Sequence, residues 1–326
     1  MSSSVPDFRG KRVVVTGGAG FIGSHLVDAL IAGGAGRVAV VDTFFLGKEE
    51  NLTAARRAGG DAVHVYREDA GEFSAMAAVC AAEKPDLVFN LATKALLYSF
   101  FNPAGACRVN LDIALTLGEL LRAGACGRLV HLSSSEVYGT ARSVPMDEGH
   151  PLLPETSYAA GKAAADLLLT SYVNMFGLDV VMVRPFNNYG PRQNDGALAA
   201  VVPLTVKRIL EGRSPVIQGD GLQTRDFIYV GDTVRAILAL AMREDRSGQV
   251  INLGSGRETT ILEIVETLCD IMGHRGAIVH EEARGADVRR HCAGIDRARA
   301  VIGEVSTTPL GEGLRQTVDW YRARVR

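Results

Sequence analysis

The chain has 326 residues, of which 47% are hydrophobic and 22% charged, with a formal net charge of −2 at pH 7. That is enough apolar content to bury a large core, as one big α/β domain or two unequal lobes. No basic block appears, which excludes the positive footprint that a nucleic-acid partner requires.

The N-terminal stretch MSSSVPDFRGKR has no apolar signal-peptide core. Nowhere do about 18 uncharged apolar residues run together, so a cytoplasmic protein with no membrane partner is expected. Cys80, Cys107, Cys126, Cys269 and Cys292 form no Cys-x-x-Cys pair and alternate with no His. They read as reduced thiols, with neither zinc nor any other metal implied.

In chain order, short runs rich in Val, Ile and Leu recur at Arg12 to Thr16, Arg37 to Asp42, Ala62 to Tyr66, Leu87 to Leu91, Arg128 to Ser133 and Val180 to Arg184. Longer Ala- and Leu-rich helical stretches separate them. Strand then helix, repeated, predicts a parallel sheet covered on both faces. After Arg184 the rhythm loosens into Gly- and Pro-marked segments such as NNYGPRQNDG and IQGDGLQTRDF, followed by helices near Asp232 to Met242 and Thr260 to Met272. A second, smaller lobe is expected there.

The stretch RVVVTGGAGFIGSHLVDAL reads as strand, glycine turn and helix, with Gly17, Gly20 and Gly23 at three-residue spacing. Glycines let the backbone approach a pyrophosphate, whose charge is favoured at a helix N-terminus. Asp42 closes the second strand, where a carboxylate can accept from an adenosine ribose and repel a 2′-phosphate, favouring NAD over NADP; a turn acid or helix cap is the plainer alternative. Asp69, after VHVYRE, is a further candidate for adenine contact.

Tyr158 and Lys162 are four apart in SYAAGKAAADLLL, so on a helix they project from one face. An ammonium beside a phenol favours the phenolate and makes Tyr158 a usable base. In VHLSSSEVYG, Ser133, Ser134 and Ser135 end a strand at the carboxyl edge of the sheet, where α/β ligands bind. Ser134 is placed to relay or orient a substrate hydroxyl proton.

With these residues in view, the chain from about Arg12 to Trp320 resembles the extended short-chain dehydrogenases/reductases, the group containing NAD-dependent sugar-nucleotide epimerases and dehydratases. The resemblance implies a Rossmann-type doubly wound parallel sheet in an NAD-binding domain over 1–184. It implies a smaller, mainly sugar-nucleotide-binding lobe over 185–326, with strands and helices interleaved between the two. It makes Gly17, Gly20 and Gly23 the pyrophosphate turn, Asp42 the ribose ligand, and Ser134, Tyr158 and Lys162 the catalytic set, with Phe21, Ile22, Tyr158 and Lys162 also contacting the cofactor. Asp69, Leu91 and Lys94 join the cofactor contacts; Lys94 is equally readable as a ligand for a sugar carboxylate or as a solvated lysine. Ser135, Val202 and Gln218 fall in the substrate region. RPFNNYGP resembles the segment whose Asn187 contacts substrate, GDGLQTRDFIYV the one whose Arg225 holds a diphosphate, and ARGADVRR the one supplying Arg284. A nucleoside-diphosphate sugar is the implied substrate, and a homodimer through paired helices the implied assembly.

The resemblance also implies a first step, oxidation at sugar C4, after which the ketone acidifies the C5 hydrogen. Three outcomes follow: loss of water across C5 and C6, inversion at C4, or loss of a C6 carboxylate. Glu136 discriminates, because a carboxylate there can remove the C5 proton, a service that simple inversion does not require. Ser135 stands where many dehydratases carry an Asp, and Glu155 stands where decarboxylases of the family place an Arg. 4,6-Dehydration is therefore the first expectation and C4 epimerisation the alternative, followed by decarboxylation and, in another class, an idle NAD-binding scaffold.

Overall fold

The computed structural model describes residues 6–243, 245, 247–283, 285 and 288–325. The chain divides into two compact units. One comprises residues up to 134, 156–184 and 234–251; the other comprises 135–155, 185–233 and 252–326.

The first unit is built on strands β1 (Arg12–Thr16), β2 (Arg37–Val41), β3 (Val63–Tyr66), β4 (Leu87–Asn90), β5 (Arg128–Leu132) and β6 (Val180–Pro185). Helices α1 (Phe21–Ala32), α2 (Thr53–Gly59), α3 (Phe73–Glu83), α4 (Pro103–Arg122) and α5 (Ser157–Phe176) alternate with them. The strands are near-continuous apolar runs because both sheet faces are covered. On one face Val14, Val88, Leu129 and Met182 pack with Met76, Ile113, Leu117 and Leu169 from α3, α4 and α5.

The helices begin where capping chemistry allows. The Asn102 side chain accepts from Gly105 N ahead of Pro103 at the start of α4, and Thr156 Oγ1 accepts from Ala159 N at the start of α5. Gly177 at φ 65° ends α5 in the left-handed region.

The remaining elements are β7 (Asn187–Tyr189), α6 (Val201–Leu210), β8 (Val216–Gln218), β9 (Thr224–Arg225), β10 (Phe227–Tyr229), α7 (Val230–Ala241), β11 (Val250–Leu253), β12 (Thr259–Thr260), α8 (Ile261–Met272), β13 (Val279–Glu281), α9 (Asp296–Ile302) and α10 (Leu310–Val325). The seven-stranded sheet has the order β11-β6-β5-β4-β1-β2-β3, with parallel pairing from β6 through β3. The expected doubly wound sheet is thus present, gaining β11 as a seventh strand. The second unit carries three two-stranded pairs, β10 with β7, β12 with β9 and β13 with β8. Its core buries Tyr189 of β7 and Phe227 of β10 with Val206, Ile264, Leu268 and Leu314 from α6, α8 and α10.

Because β1 lies between β2 and β4, the chain winds away from β1 in both directions. The loops after β1 and β4 therefore part at the carboxyl edge, where open α/β sheets bind ligands.

Candidate active site

At that edge Gly17 takes φ 68°, a conformation costly for any residue with a Cβ. A Cβ there would also stand 2.7 Å from Ala92 N. Gly20 precedes α1 as its N-cap, and a Cβ on Gly23 would run into the Gly17 carbonyl oxygen. The three glycines thus let the turn fold back on the first turn of α1, where half-exposed Phe21 and Ile22 begin the helix. The amide of Leu91 donates to Thr16 O, which ties the loop after β4 to the same turn.

Asp42 is buried just past β2 and accepts from the amides of Ala19 at 2.9 Å and Phe44 at 2.8 Å. Burial pushes its carboxyl up, opposed by those two amides and, more weakly, by Lys94 and Arg67. Lys94 places its ammonium 3.6 Å from the centre of the Phe45 ring, a cation–π contact. It also lines a hollow of about 210 Å³ with Asp69, Tyr98, Arg108 and Asp112. Asp69 itself is exposed and accepts from Gly71 N. The glycine cradle beside a buried, amide-held carboxylate fits a dinucleotide.

Ser134 is buried two residues past the end of β5. Tyr158 occupies the first turn of α5 half-buried, and its amide donates to Ser99 Oγ at 2.9 Å, so residue 99 fixes where the tyrosine's helix begins. One turn on, Lys162 is buried and donates to Leu132 O at 2.7 Å. Burial brings its pKa down to about 8, against the raising effect of Asp166. Tyr158 stands one helical turn before Lys162 on the same face of α5.

In the second unit Ser135 and Glu136 open a short 3-10 turn, Ser135–Tyr138, with Ser135 buried and Glu136 half-buried. Asn187 pairs with Phe227 in β7 and β10, and its side-chain Oδ1 is buried without a hydrogen-bond partner among the described residues. Arg225 is buried and its guanidinium donates to the carbonyls of Thr224 and Val288. The adjacent Asp226 gathers Ser255 N, Ser255 Oγ, Gly256 N and Ala293 N, which fixes the loops around Arg225. Gln218 sits half-buried at the end of β8, its carbonyl accepting from Gln223 Nε2. Val202 is buried in the unit's apolar core. Glu155 accepts from Thr140 N. Arg284 lies outside the described residues.

Sequence reading passed over Ser99, Asp226 and Asp166. Asp166 alone carried a signal, standing four residues beyond Lys162 on the same helical face.

The model of the NAD dependent epimerase/dehydratase family matches residues 13–254. The chain belongs to this family. It is 36% identical to a UDP-glucose 4-epimerase of Mycolicibacterium smegmatis over 95% of this chain and 98% of that one. It is 35% identical to a dTDP-glucose 4,6-dehydratase of an Actinoplanes species over 96% and 98%. The structure of a Thermotoga maritima UDP-glucose 4-epimerase with UDP-glucose superposes with a TM-score of 0.90 at 33% identity, covering 96% of this chain and 99% of that one. The protein is therefore an NAD-dependent enzyme of the nucleotide-sugar epimerase/dehydratase family, and NAD is its cofactor. Among the described residues no helix is long and apolar enough to cross a membrane.

Proposed function

We propose that this enzyme oxidises the C4 hydroxyl of a nucleoside-diphosphate hexose and then removes water across C5 and C6, as an NDP-hexose 4,6-dehydratase. The observation that carries the reading is Glu136, a half-buried carboxylate two residues past Ser134 in a turn whose Ser135, Val137 and Tyr138 are buried. Bound NAD supplies the acceptance and return of a hydride. Tyr158, with its phenolate supported by Lys162, takes the C4 hydroxyl proton while Ser134 orients that hydroxyl. The resulting ketone acidifies the C5 hydrogen, and Glu136 removes it. The C6 hydroxyl departs as water after taking a proton from Glu136. With the hydride that bound NAD would return to C6, and a proton delivered to C5 through solvent to match the one Tyr158 releases, the product is a 4-keto-6-deoxy sugar. The buried Asn187 Oδ1, without a hydrogen-bond partner among the described residues, and the buried Arg225 support a sugar and a diphosphate as ligands.

C4 epimerisation is the second reading. Ser135 beside Glu136 offers no second carboxylic acid to protonate a leaving hydroxyl, and 4-epimerases stand among the similar proteins. Incubation with UDP-, dTDP- and GDP-hexoses followed by mass spectrometry and NMR separates the two: dehydration removes one water, whereas epimerisation leaves the mass unchanged and inverts C4. With Glu136→Gln, dehydration and C5 exchange with deuterated water should stop while transient NADH absorbance persists. Undiminished dehydration by that variant would overturn the assignment of Glu136.

A further inference from the structure

Beneath α5 a row of polar side chains crosses the sheet in register. Thr16 in β1 faces Asn90 in β4, which faces His131 in β5. Thr16 Oγ1 donates to Asn90 Oδ1 at 2.7 Å, and Asn90 Nδ2 donates to His131 Nδ1 at 2.9 Å. That fixes the neutral ring with its proton on Nε2, directed at Asp166 Oδ1 across 3.8 Å. The other carboxylate oxygen, Oδ2, accepts from Ser133 Oγ and from Arg184 Nε, each at 2.9 Å. Thr16, Asn90, His131, Lys162 and Asp166 are each at most 2% exposed, and Arg184 is 5% exposed.

Apolar side chains in these places would avoid the desolvation that such a row incurs, so stability alone gives a poor reason for it. Its geometry gives a better one. Lys162 and Asp166, one turn apart on α5, grip the last residue of β5 and the one after it: the Lys162 ammonium donates to Leu132 O, and Ser133 Oγ donates to Asp166. The next residue is Ser134. We propose that Asp166 is a positioning residue for C4 oxidation, which keeps the Lys162 ammonium protonated and clamps α5 to the strand end that delivers Ser134.

The inference rests on the reading that Tyr158 and Lys162 carry that oxidation. Asp166 and, from β5, His131 interact with the Lys162 charge, Tyr158 stands one turn before it on α5 and Arg184 from β6 reaches Asp166, while α4 presents the Cys107 backbone at Gly161. Of the charged groups among these, the carboxylate of Asp166 is the one that favours the protonated lysine. His131 is held neutral by burial and by Lys162 itself.

The test compares wild type with Asp166→Asn and with the double variant Asp166→Asn/Arg184→Gln, which leaves no buried arginine unpaired. Removing the carboxylate lowers the lysine's affinity for its proton. The Lys162 ammonium, followed by NMR in protein labelled at lysine nitrogen and assigned by its loss in Lys162→Met, should therefore titrate roughly one pH unit lower in both variants. The alkaline limb of the pH profile of turnover should move down with it. A role in stability alone would lower the height of the profile and leave that limb in place. A lysine titration and an alkaline limb that superpose on wild type would overturn the inference. A wild type inactive on every nucleotide sugar would overturn the catalytic reading instead, and the lysine titration, which needs no substrate, would still decide the role of Asp166.

Discussion

At the scale of single residues, the cofactor cradle rests on the absence of side chains. Gly23 is helical, so alanine there would be welcome on propensity alone by about 1 kcal/mol. Its Cβ, however, would meet the Gly17 carbonyl oxygen and lie 2.8 Å from Gly18 Cα, and both obstacles are backbone. Overpacking of that kind costs about 1–3 kcal/mol, and the turn must shift to relieve it. Gly23→Ala should therefore weaken NAD binding by roughly ten- to a hundredfold in calorimetric titration, and a Kd within twofold of wild type would refute the argument. Spacing made this turn readable in the sequence, because three glycines between an apolar run and a helical pattern have few other uses. The Asp42 carboxylate was readable as a position, but its partners were not: the amide of Ala19 comes from the glycine turn after β1, and that of Phe44 from a loop that turns back through its own positive φ.

At the scale of elements, α5 is set by contacts with parts of the chain remote in sequence. Gly161, between Tyr158 and Lys162, sits so close to α4 that an added Cβ would strike the Cys107 carbonyl oxygen and lie 2.8 Å from Cys107 Cα. Gly161→Ala should push the helices apart and lower stability to urea by about 1–3 kcal/mol, with turnover falling alongside because the displaced helix carries Tyr158. Greater stability, as propensity alone predicts, would show that the contact is soft. Six strands could be read from the sequence because burial on both faces makes them continuous apolar runs. Strand β11 could not: in VINL the fully buried Asn252 breaks the apolar run, and the strand lies between SGQ and GSG. The two- and three-residue strands of the second unit are too short for any periodicity to register. Within the site, the Tyr158–Lys162 pair was legible as an i,i+4 spacing. Ser99, which anchors the amide of Tyr158 from 59 residues away, left no local trace.

At the scale of the whole molecule, buried neutral histidines set the acid side of stability. His291 is fully buried, with Nε2 bonded to Gly139 O. Burial, reinforced by the Arg225 cation, lowers its pKa to about 3 against the opposing effect of that bond. His131 is lowered in the same sense. An unfolded histidine titrates near 6.5, so between roughly pH 6.5 and 3 the unfolded chain binds a proton that the folded chain refuses. Stability must then fall as pH falls, by about 1.4 kcal/mol per pH unit for each such group. Asp166 and Asp226, whose pKa values burial raises, act with the opposite sign, since the folded state takes their protons first. A difference measurement removes them from the comparison. His291→Gln keeps a donor for Gly139 O and cannot titrate, so between pH 6.5 and 5 it should lose about 2 kcal/mol less than wild type in urea unfolding. Parallel losses in the two proteins would mean that His291 is protonated in the folded state and that the pocket around it opens to water.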